Sequence, residues 1–389
     1  HGDASRRSFR TSPVPAASRP DRRSQSIRAR AIVIEPCDDS PMHATVPNEI
    51  VRYEFDTRPE TGDTMEIAPG IFWLRMHLPF SLAHINLWLL CDDDGWTVVD
   101  TGVDIDECRR IWQHTFDARM KGQPVRRVLV THLHPDHIGC AGWLTDRFDA
   151  PLWMTRDEYL LSRVLVADTG RPAPEEGDRF YRGAGFAADQ MDFYHHMFGM
   201  FGKFVHELPE SYHRIAEGDV IPVGEHDWEV IVGRGHSPEH ACLYNAGQNL
   251  LISGDQLLPT ISSNVSVFPT EPEANPLADW ISSLETLKRR VPADVLVLPA
   301  HGKPFRGAHE RLDALIAEHL DCLDKLVALC DEPKRAVDVF PALFRSKIDN
   351  KNLIMATGES IAHLNYLLDI RRLSVAQDND GVNWYRAVK

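Results

Sequence analysis

Residues 131–137 have the sequence Thr-His-Leu-His-Pro-Asp-His and follow the apolar run 128–130. Three imidazoles and a carboxylate in so short a stretch are not explained by packing, because each polar group must stay solvated or find a polar partner. Imidazole nitrogen and carboxylate oxygen are ligands that suit zinc, and also iron, manganese or nickel. The stretch therefore predicts a transition-metal site at the end of a strand, without identifying the metal.

Three more strand-like segments end in a residue that can bind a metal. His236, Asp255 and His301 each follow an apolar segment of four or five residues. One histidine or aspartate after a strand is usually a turn or cap residue, so each is weak alone and gains weight from the repetition. Because binding chemistry concentrates in loops held by rigid strands, we expect these strand ends to meet at one edge of a sandwich.

The order of these residues along the chain, His-x-His-x-Asp-His and then His, Asp and His, resembles that of the metallo-β-lactamase-fold hydrolases, in the branch with glyoxalase II and the lactonases. Residues 96–102, with the sequence Trp-Thr-Val-Val-Asp-Thr-Gly, are similar to the strand and aspartate that precede the main motif in that family. The resemblance covers roughly residues 65–305. It implies an α/β (α+β) fold, the four-layer αββα metallo-β-lactamase sandwich.

The resemblance also implies a role for each motif residue. It implies seven metal ligands: His132, His134 and His236 for a first ion, Asp136, His137 and His301 for a second, and Asp255 as a bridge between the two. We expect Asp100 to orient a ligand from behind, and His240 to support the site or to pack beneath it. The cofactor would be two divalent transition-metal ions, with zinc preferred over iron or manganese.

This ligand set implies a hydrolase that needs no serine or cysteine nucleophile. Two ions can share a hydroxide, because they lower the pKa of water from ~15.7 towards about 7, and one ion can polarise the scissile carbonyl. The catalytic residues would be Asp255, as the bridge, and Asp136, which would pass a proton to the leaving group. The predicted reaction is hydrolysis of an ester, thioester or lactone in a small-molecule acyl substrate.

The ligand positions of this chain differ from those of two related classes of enzyme, which argues against the activities of both classes. The β-lactamases of this fold place a cysteine among the second-site ligands and lack a bridging aspartate, whereas Cys140 lies three residues past His137 here. Flavodiiron oxygen reductases carry glutamate at the second motif position, where this chain has His134. We therefore predict neither antibiotic hydrolysis nor reduction of oxygen.

Two other reactions stay open on the same residues. A metal-dependent ribonuclease or phosphodiesterase would use the same pair of ions on a different class of substrate. A persulfide dioxygenase would use one iron and would leave His137 and His301 without ligand roles, so it is the weaker alternative. A non-catalytic binding protein is disfavoured, because such relatives usually lose ligands.

Residues 157–213 interrupt the family pattern with an insertion, rich in aromatic residues and methionine, that the metal site does not need. Two interpretations stay open for this segment. Its helices either pack onto the sandwich or form a lid whose apolar side chains line a substrate pocket. The pocket, which would favour an apolar acyl or aromatic group, would be lined by Phe193, Tyr194, Met197, Phe198 and Phe201.

The catalytic domain is predicted to span residues 46–306, with a different segment on each side. Residues 1–45 are rich in Arg, Ser and Pro and poor in large apolar residues, which predicts a disordered extension. A transit peptide and an over-extended start are alternatives for that segment. Residues 307–389 are predicted to form a linker helix, over 308–330, and a winged-helix-like domain of two helices and a hairpin.

Charge and composition narrow the predicted partners and location. Residues 334–389 carry a net charge of +3 in a chain of −15, and the acidic remainder would repel nucleic acid, so packing or homodimerisation is the expected role of this module. The seven cysteines form no Cys-x-x-Cys pair, which predicts free thiols and a cytoplasmic location. No apolar run approaches the ~20 residues of a membrane-spanning helix, so we predict no membrane partner.

Overall fold

Two seven-stranded β-sheets face each other at the centre of the fold. The computed structural model describes residues 50–79 and 82–389, so the extension predicted at 1–45 lies outside the described residues. Apolar side chains from both sheets pack between them, among them Trp73, Trp88 and Trp228. The space between the sheets is therefore one apolar core that fixes the position of one sheet against the other.

The first sheet comes from the N-terminal half of the chain. After β1 (Arg52–Tyr53), which belongs to the second sheet, its strands follow in chain and spatial order: β2 (Thr64–Ala68), β3 (Ile71–His77), β4 (His84–Asp92), β5 (Gly95–Val99), β6 (Val125–Leu129), β7 (Leu152–Met154) and β8 (His213–Arg214). β3 and β4 are buried along most of their length. They read as nearly continuous apolar runs because both faces of the sheet are covered.

The second sheet comes mainly from the C-terminal half of the same domain. In spatial order, the remaining strands after β1 are β14 (Phe305–Arg306), β13 (Leu296–Pro299), β12 (Leu250–Gly254), β11 (His240–Asn245), β10 (His226–Gly233) and β9 (Val220–Val223). The edge strand β9 alternates exposed and buried residues, as expected of a strand with one face in solvent.

Helices cover the outer face of each sheet. The helices are α1 (Asp106–Thr115), α2 (Pro135–Ile138), α3 (Ala141–Phe148), α4 (Arg156–Ala167), α5 (Glu175–Ala184), α6 (Ala188–Met197), α7 (Pro276–Arg290), α8 (Ala308–Leu329), α9 (Phe340–Leu343) and α10 (Leu353–Asp369). α1 and α3 share an apolar core with the first sheet, and α7 and α8 share one with the second. The order helix, sheet, sheet, helix confirms the predicted four-layer αββα sandwich.

The helix α1 shows how sequence periodicity places a helix on a sheet. Its buried residues Cys108, Ile111, Trp112 and Thr115 are spaced by three, one and three positions. This spacing puts them on one face of a helix, which lies against the first sheet. The chain then makes a π-helical turn at Phe116–Met120 and leaves it through Lys121 in the left-handed conformation.

The C-terminal region continues from α8, which confirms the helix predicted over 308–330. α10 is followed by an antiparallel hairpin of β15 (Leu373–Gln377) and β16 (Asn383–Ala387). Between α8 and this hairpin the chain forms a 3₁₀ turn at Ala336–Val339, the one-turn helix α9 and the long helix α10. The assignment of this region as a winged helix stays a prediction.

None of the helices in the described ranges is long and apolar enough to cross a membrane. The six cysteines that lie in these ranges have free thiols. Five of the six are buried, and only Cys91 is exposed.

Candidate metal centre

Five strand ends bring the predicted site residues to one edge of the sandwich. Asp100 follows β5, residues 132–137 follow β6, His236 follows β10, Asp255 follows β12 and His301 follows β13. β5 pairs with β6 in parallel, and β12 pairs with β13 in parallel, so the carboxyl ends of each pair lie side by side. The loops after these strands therefore converge.

The predicted ligands form two groups of side chains. One contains His132, His134, His236 and Asp255 and the other contains Asp136, His137 and His301, and within each group the ligand atoms all lie within 4.8 Å of one another. His132 Nε2 lies 3.3 Å from His236 Nε2, and Asp136 Oδ2 lies 3.3 Å from His301 Nε2. Ligands at the usual 2.0–2.1 Å from a tetrahedral zinc ion are about 3.3 Å apart. The spacing of both groups therefore fits one metal ion each.

The carboxylate of Asp255 lies between the two groups. Its Oδ2 atom is 3.4 Å from His236 Nε2 in the first group. Its Oδ1 atom is 3.5 Å from His137 Nε2 and 3.5 Å from His301 Nε2 in the second. Because one oxygen faces each group, this side chain can bind two ions at once.

Three buried atoms at this edge make no hydrogen bond to any described residue. They are His137 Nε2, His301 Nε2 and Asp255 Oδ1, and they face one another. A buried polar atom without a partner is costly, so natural proteins rarely leave three of them together. A metal ion would satisfy all three, which shows that the residues present fit such an ion.

Asp100 lies behind the second group, where the sequence predicted an orienting residue. Its Oδ2 atom accepts a hydrogen bond of 2.7 Å from His137 Nδ1, and Oδ1 accepts from the backbone N–H of Thr131 at 2.8 Å. The bond to Nδ1 fixes the tautomer of the His137 ring and leaves Nε2 directed at Asp255. Asp100 itself has a positive φ of 61°, which a short polar residue tolerates better than a bulky one.

Backbone carbonyls orient two other histidines in the same way. His236 Nδ1 donates to the carbonyl of Asn264 at 2.7 Å, and His301 Nδ1 donates to the carbonyl of His84 at 3.0 Å. In both rings the Nε2 atom is then the one that is free to bind a metal. His84 therefore contributes to the site through its backbone.

The predicted supporting residue His240 lies beneath the bridge. Its fully buried ring stacks on the ring of His132, with centroids 4.7 Å apart. Its Nε2 atom accepts a hydrogen bond of 3.1 Å from the backbone N–H of Asp255. A Cβ atom at Gly254 would lie only 2.5 Å from that Nε2, so glycine is required before Asp255 for His240 to reach it.

With this geometry established, comparison with known proteins identifies the family. The family model of the metallo-beta-lactamase superfamily matches residues 82–302, which include all seven predicted ligands. The chain belongs to the metallo-beta-lactamase superfamily. A second model, for the metallo-beta-lactamase-like C-terminal domain, matches residues 323–388.

Relatives of known structure or description agree with this assignment. A beta-lactamase domain protein from Burkholderia ambifaria is 41% identical, with a TM-score of 0.81 over 88% of this chain and 99% of that chain. A probable metallo-hydrolase from Bacillus subtilis (strain 168) is 25% identical and covers 76% of this chain and 91% of its own length. An acyl-coenzyme A thioesterase from Homo sapiens is 24% identical and covers 65% of this chain and 85% of its own. The protein is thus a metallo-hydrolase of this superfamily.

Glu158 is a site residue that the sequence did not indicate. This fully buried residue of α4 accepts three hydrogen bonds: from the N–H of Leu133 at 2.9 Å, from Ser237 Oγ at 2.6 Å and from the N–H of Glu239 at 2.8 Å. It therefore ties the loop of the His-x-His-x-Asp-His motif to the loop of His236. Burial raises the pKa of its carboxyl to about 7, although these hydrogen bonds act in the opposite direction.

The position of Glu158 corrects one expectation from the sequence. The metal site was expected not to need the insertion at 157–213, yet the second residue of that segment holds two ligand loops together. The physical reason is that a buried loop N–H must have an acceptor, and α4 is the element that supplies it. An acidic residue in the first turn of a helix is common, so the sequence carried no distinctive signal.

Replacing Glu158 by alanine should weaken both the fold and metal binding. The change leaves two backbone N–H groups and one hydroxyl buried without an acceptor, at about 1 kcal/mol or more each, so unfolding free energy should fall by about 3 kcal/mol. Metal affinity should fall about 10- to 100-fold, as for other residues that hold ligands in place. Urea denaturation and metal titration measure the two effects.

The control for Glu158→Ala is Val164→Ala, at an exposed position of the same helix, which should change the unfolding free energy by less than ~0.5 kcal/mol. An equal loss of unfolding free energy in both variants would contradict the role assigned to Glu158.

Asn86 is a second supporting residue that the sequence did not indicate. Its Nδ2 atom donates to the carbonyls of Pro299 and Gly302, both at 2.8 Å, on either side of His301. Its own Oδ1 accepts from Trp73 Nε1 at 2.7 Å. The buried amide therefore holds the His301 loop of the second sheet against the first.

The electrostatic environment differs between the two ligand groups. In the first, burial and the neighbouring imidazoles lower the pKa of His132 well below its usual value and that of His134 to about 3. Neutral imidazole is the form that binds metal. In the second, burial opposes the charged form of His137, but the carboxylates of Asp100, Asp136 and Asp255 outweigh it and raise its pKa. Three carboxylates thus surround His137, and their negative charge suits a cation.

The five predicted pocket residues lie on α6 and in the turn after it. The buried ring of Tyr194 packs on Tyr181 of α5, with centroids 4.4 Å apart, and so lies in a core of the insertion itself. Phe201 packs against the core beneath the first sheet, whereas Met197 is exposed. The pocket assignment stays a prediction, and Met197 is the most exposed of the five side chains.

Proposed function

We propose that the protein is a dinuclear metal-dependent hydrolase that cleaves an ester, thioester or lactone bond next to an apolar acyl or aromatic group. The observation that carries the proposal is the position of Asp255, whose two oxygens face two separate ligand groups. Membership of a hydrolase superfamily supports the reaction type. The similarity to an acyl-coenzyme A thioesterase favours a thioester among the three bonds.

The proposed cofactor is a pair of zinc ions. His132, His134 and His236 would hold one ion, Asp136, His137 and His301 would hold the other, and Asp255 would bridge them. A set of imidazole nitrogens and carboxylate oxygens is typical of zinc. When bound, two such ions supply an activated water at neutral pH and polarise the scissile carbonyl.

We propose that Asp136 transfers the proton that the leaving group receives. Its side chain is 18% exposed, compared with 11% for Asp255 and 0% for His137, so it is the most open of these three to a substrate. A carboxylate at the edge of the site can take up a proton and pass it to the departing thiolate or alkoxide. Asp100, Glu158 and Asn86 do not reach the substrate in this scheme; they hold the ligands and their loops.

A turnover panel on the zinc-loaded protein tests the proposed function. The panel contains acyl-coenzyme A thioesters of increasing chain length, lactones, aryl esters and single-stranded RNA. We expect the highest kcat/KM for a long-chain thioester, with a gain of about fourfold for each methylene that is buried in the site, since each contributes about 0.8 kcal/mol. Cleavage of RNA alone would contradict the proposal, as would oxygen consumption with a persulfide in the absence of any hydrolysis.

A further inference from the structure

The segment between β12 and α7 lies between the metal centre and the C-terminal region and bonds to both. Within this segment, the carbonyl of Asn264 accepts the hydrogen bond from His236 Nδ1 at 2.7 Å. This bond holds the His236 ring with Nε2 towards His132 and Asp255. The orientation of one metal ligand therefore depends on the position of the Asn264 backbone.

The side chain of Asn264 is held by α10. Its Nδ2 atom donates to Glu359 Oε2 at 2.7 Å, and Glu359 is fully buried. Its Oδ1 atom accepts from Ser266 Oγ, which places both ends of the amide. The amide of Asn264 is therefore held at both ends, by Glu359 of α10 and by Ser266.

Gly358, which precedes Glu359 in α10, allows the contact between Asn264 and Glu359. The N–H of Val267 donates to the carbonyl of Gly358 at 3.0 Å. A Cβ atom at position 358 would lie 2.8 Å from the Cβ of Ser266 and 2.9 Å from the carbonyl oxygen of Val267. Glycine is unfavourable inside a helix, so its presence here is explained by the close approach of the segment.

We propose that the hydrogen-bonded pair of Asn264 and Glu359 positions His236. The C-terminal region, which contains Glu359, would then help to orient a metal ligand. Glu359 acts at a distance, through the side chain and then the carbonyl of Asn264, and it touches neither metal nor substrate. The inference rests on the metal-binding part of the proposed function. It goes beyond that function by giving the C-terminal region a role other than packing or dimerisation.

The test measures zinc binding to the full-length protein, without any substrate. Wild-type protein, Glu359→Ala, Glu359→Gln and Asn264→Ala are titrated with zinc in competition with a chromophoric chelator. We expect Glu359→Ala and Asn264→Ala each to weaken one of the two zinc-binding steps about 10- to 100-fold, as residues behind a ligand typically do. Glu359→Gln keeps an oxygen that accepts from Asn264, so its affinity should stay within about threefold of wild type.

The double variant distinguishes this pair from general loss of packing. If the two side chains act through one hydrogen bond, the double variant should bind zinc no more weakly than the weaker of the two single variants. Losses that add in the double variant, or a Glu359→Gln protein as impaired as Glu359→Ala, would overturn the proposal. So would unchanged zinc affinity in both alanine variants.

Failure of this proposal is distinguishable from failure of the proposed function. A wild-type protein that binds no second zinc ion contradicts the dinuclear site itself, whatever the variants do. A wild-type protein that binds two ions, with variants that bind them equally well, contradicts only the positioning role. If urea denaturation shows that the Glu359→Ala protein is unfolded, Asn264→Ala carries the test, because Asn264 is itself half-buried and lies in a loop rather than in a helix.

Discussion

Replacement of Asp255 by alanine is expected to abolish hydrolysis and to leave the fold largely intact. The oxygens of this carboxylate face both ligand groups, at 3.4 and 3.5 Å from their histidines. Its loss removes a ligand from each ion, and the ions are worth several kcal/mol of transition-state stabilisation. Since each 1.4 kcal/mol is a factor of ten, kcat/KM should fall on the order of a thousandfold or more. The measurement is turnover of the best substrate from the panel.

Two controls accompany the Asp255→Ala variant. Asp227→Ala removes an exposed aspartate from β10, in the same sheet, and should retain wild-type turnover. Circular dichroism should show that the Asp255→Ala protein keeps its secondary structure, because the residue lies in a loop after β12 and not within the sheet core. Turnover by Asp255→Ala within about tenfold of wild type would refute the bridging role.

Removal of the metal ions should eliminate activity and lower the melting temperature. The imidazole and carboxylate atoms that converge at His137, His301 and Asp255 are buried without hydrogen-bond partners among the described residues, so an ion that binds them stabilises the folded state. At 100 times the dissociation constant a ligand contributes about 2.7 kcal/mol, which corresponds to a shift of about 3 °C for each ion in a protein of this size. Scanning calorimetry and turnover after dialysis against a chelator measure both effects.

Reconstitution is the control for metal removal. Addition of zinc to the dialysed protein should restore both turnover and melting temperature, which excludes irreversible damage by the chelator. The Asp255→Ala protein should show a smaller change in melting temperature under the same treatment, because it has lost the shared ligand. Full activity in protein that elemental analysis shows to be depleted of metal would contradict the account.

The sequence was sufficient to predict the fold and the convergence of the motif side chains, because the motifs that carry the family resemblance each follow an apolar strand. Residues 131–137 follow a buried strand, and Asp255 and His301 each follow another. When the apolar runs form the strands of the two sheets, the loops that follow these strands lie at the same edge. The structure brings all of these side chains to one edge, and it also brings Asp100 behind His137.

The residues that hold the ligands were not predictable from the sequence, because their contacts are distant along the chain. Glu158 lies 79 positions from Ser237, and Asn264 lies 95 positions from Glu359. A buried glutamate in the first turn of α4 has the same local pattern as a solvated acid at any helix start. Only the three-dimensional structure distinguishes the two cases, and it also shows that α10 bonds to Asn264, whose carbonyl accepts from His236.

The metal content of the purified wild-type protein tests the central claim most directly. Elemental analysis by mass spectrometry, normalised to protein concentration from amino-acid analysis, gives the number of ions per chain. The two ligand groups that share Asp255 predict two divalent ions per chain. A stoichiometry of one ion per chain, unchanged after addition of excess zinc, would contradict the dinuclear site and the hydrolytic function proposed from it.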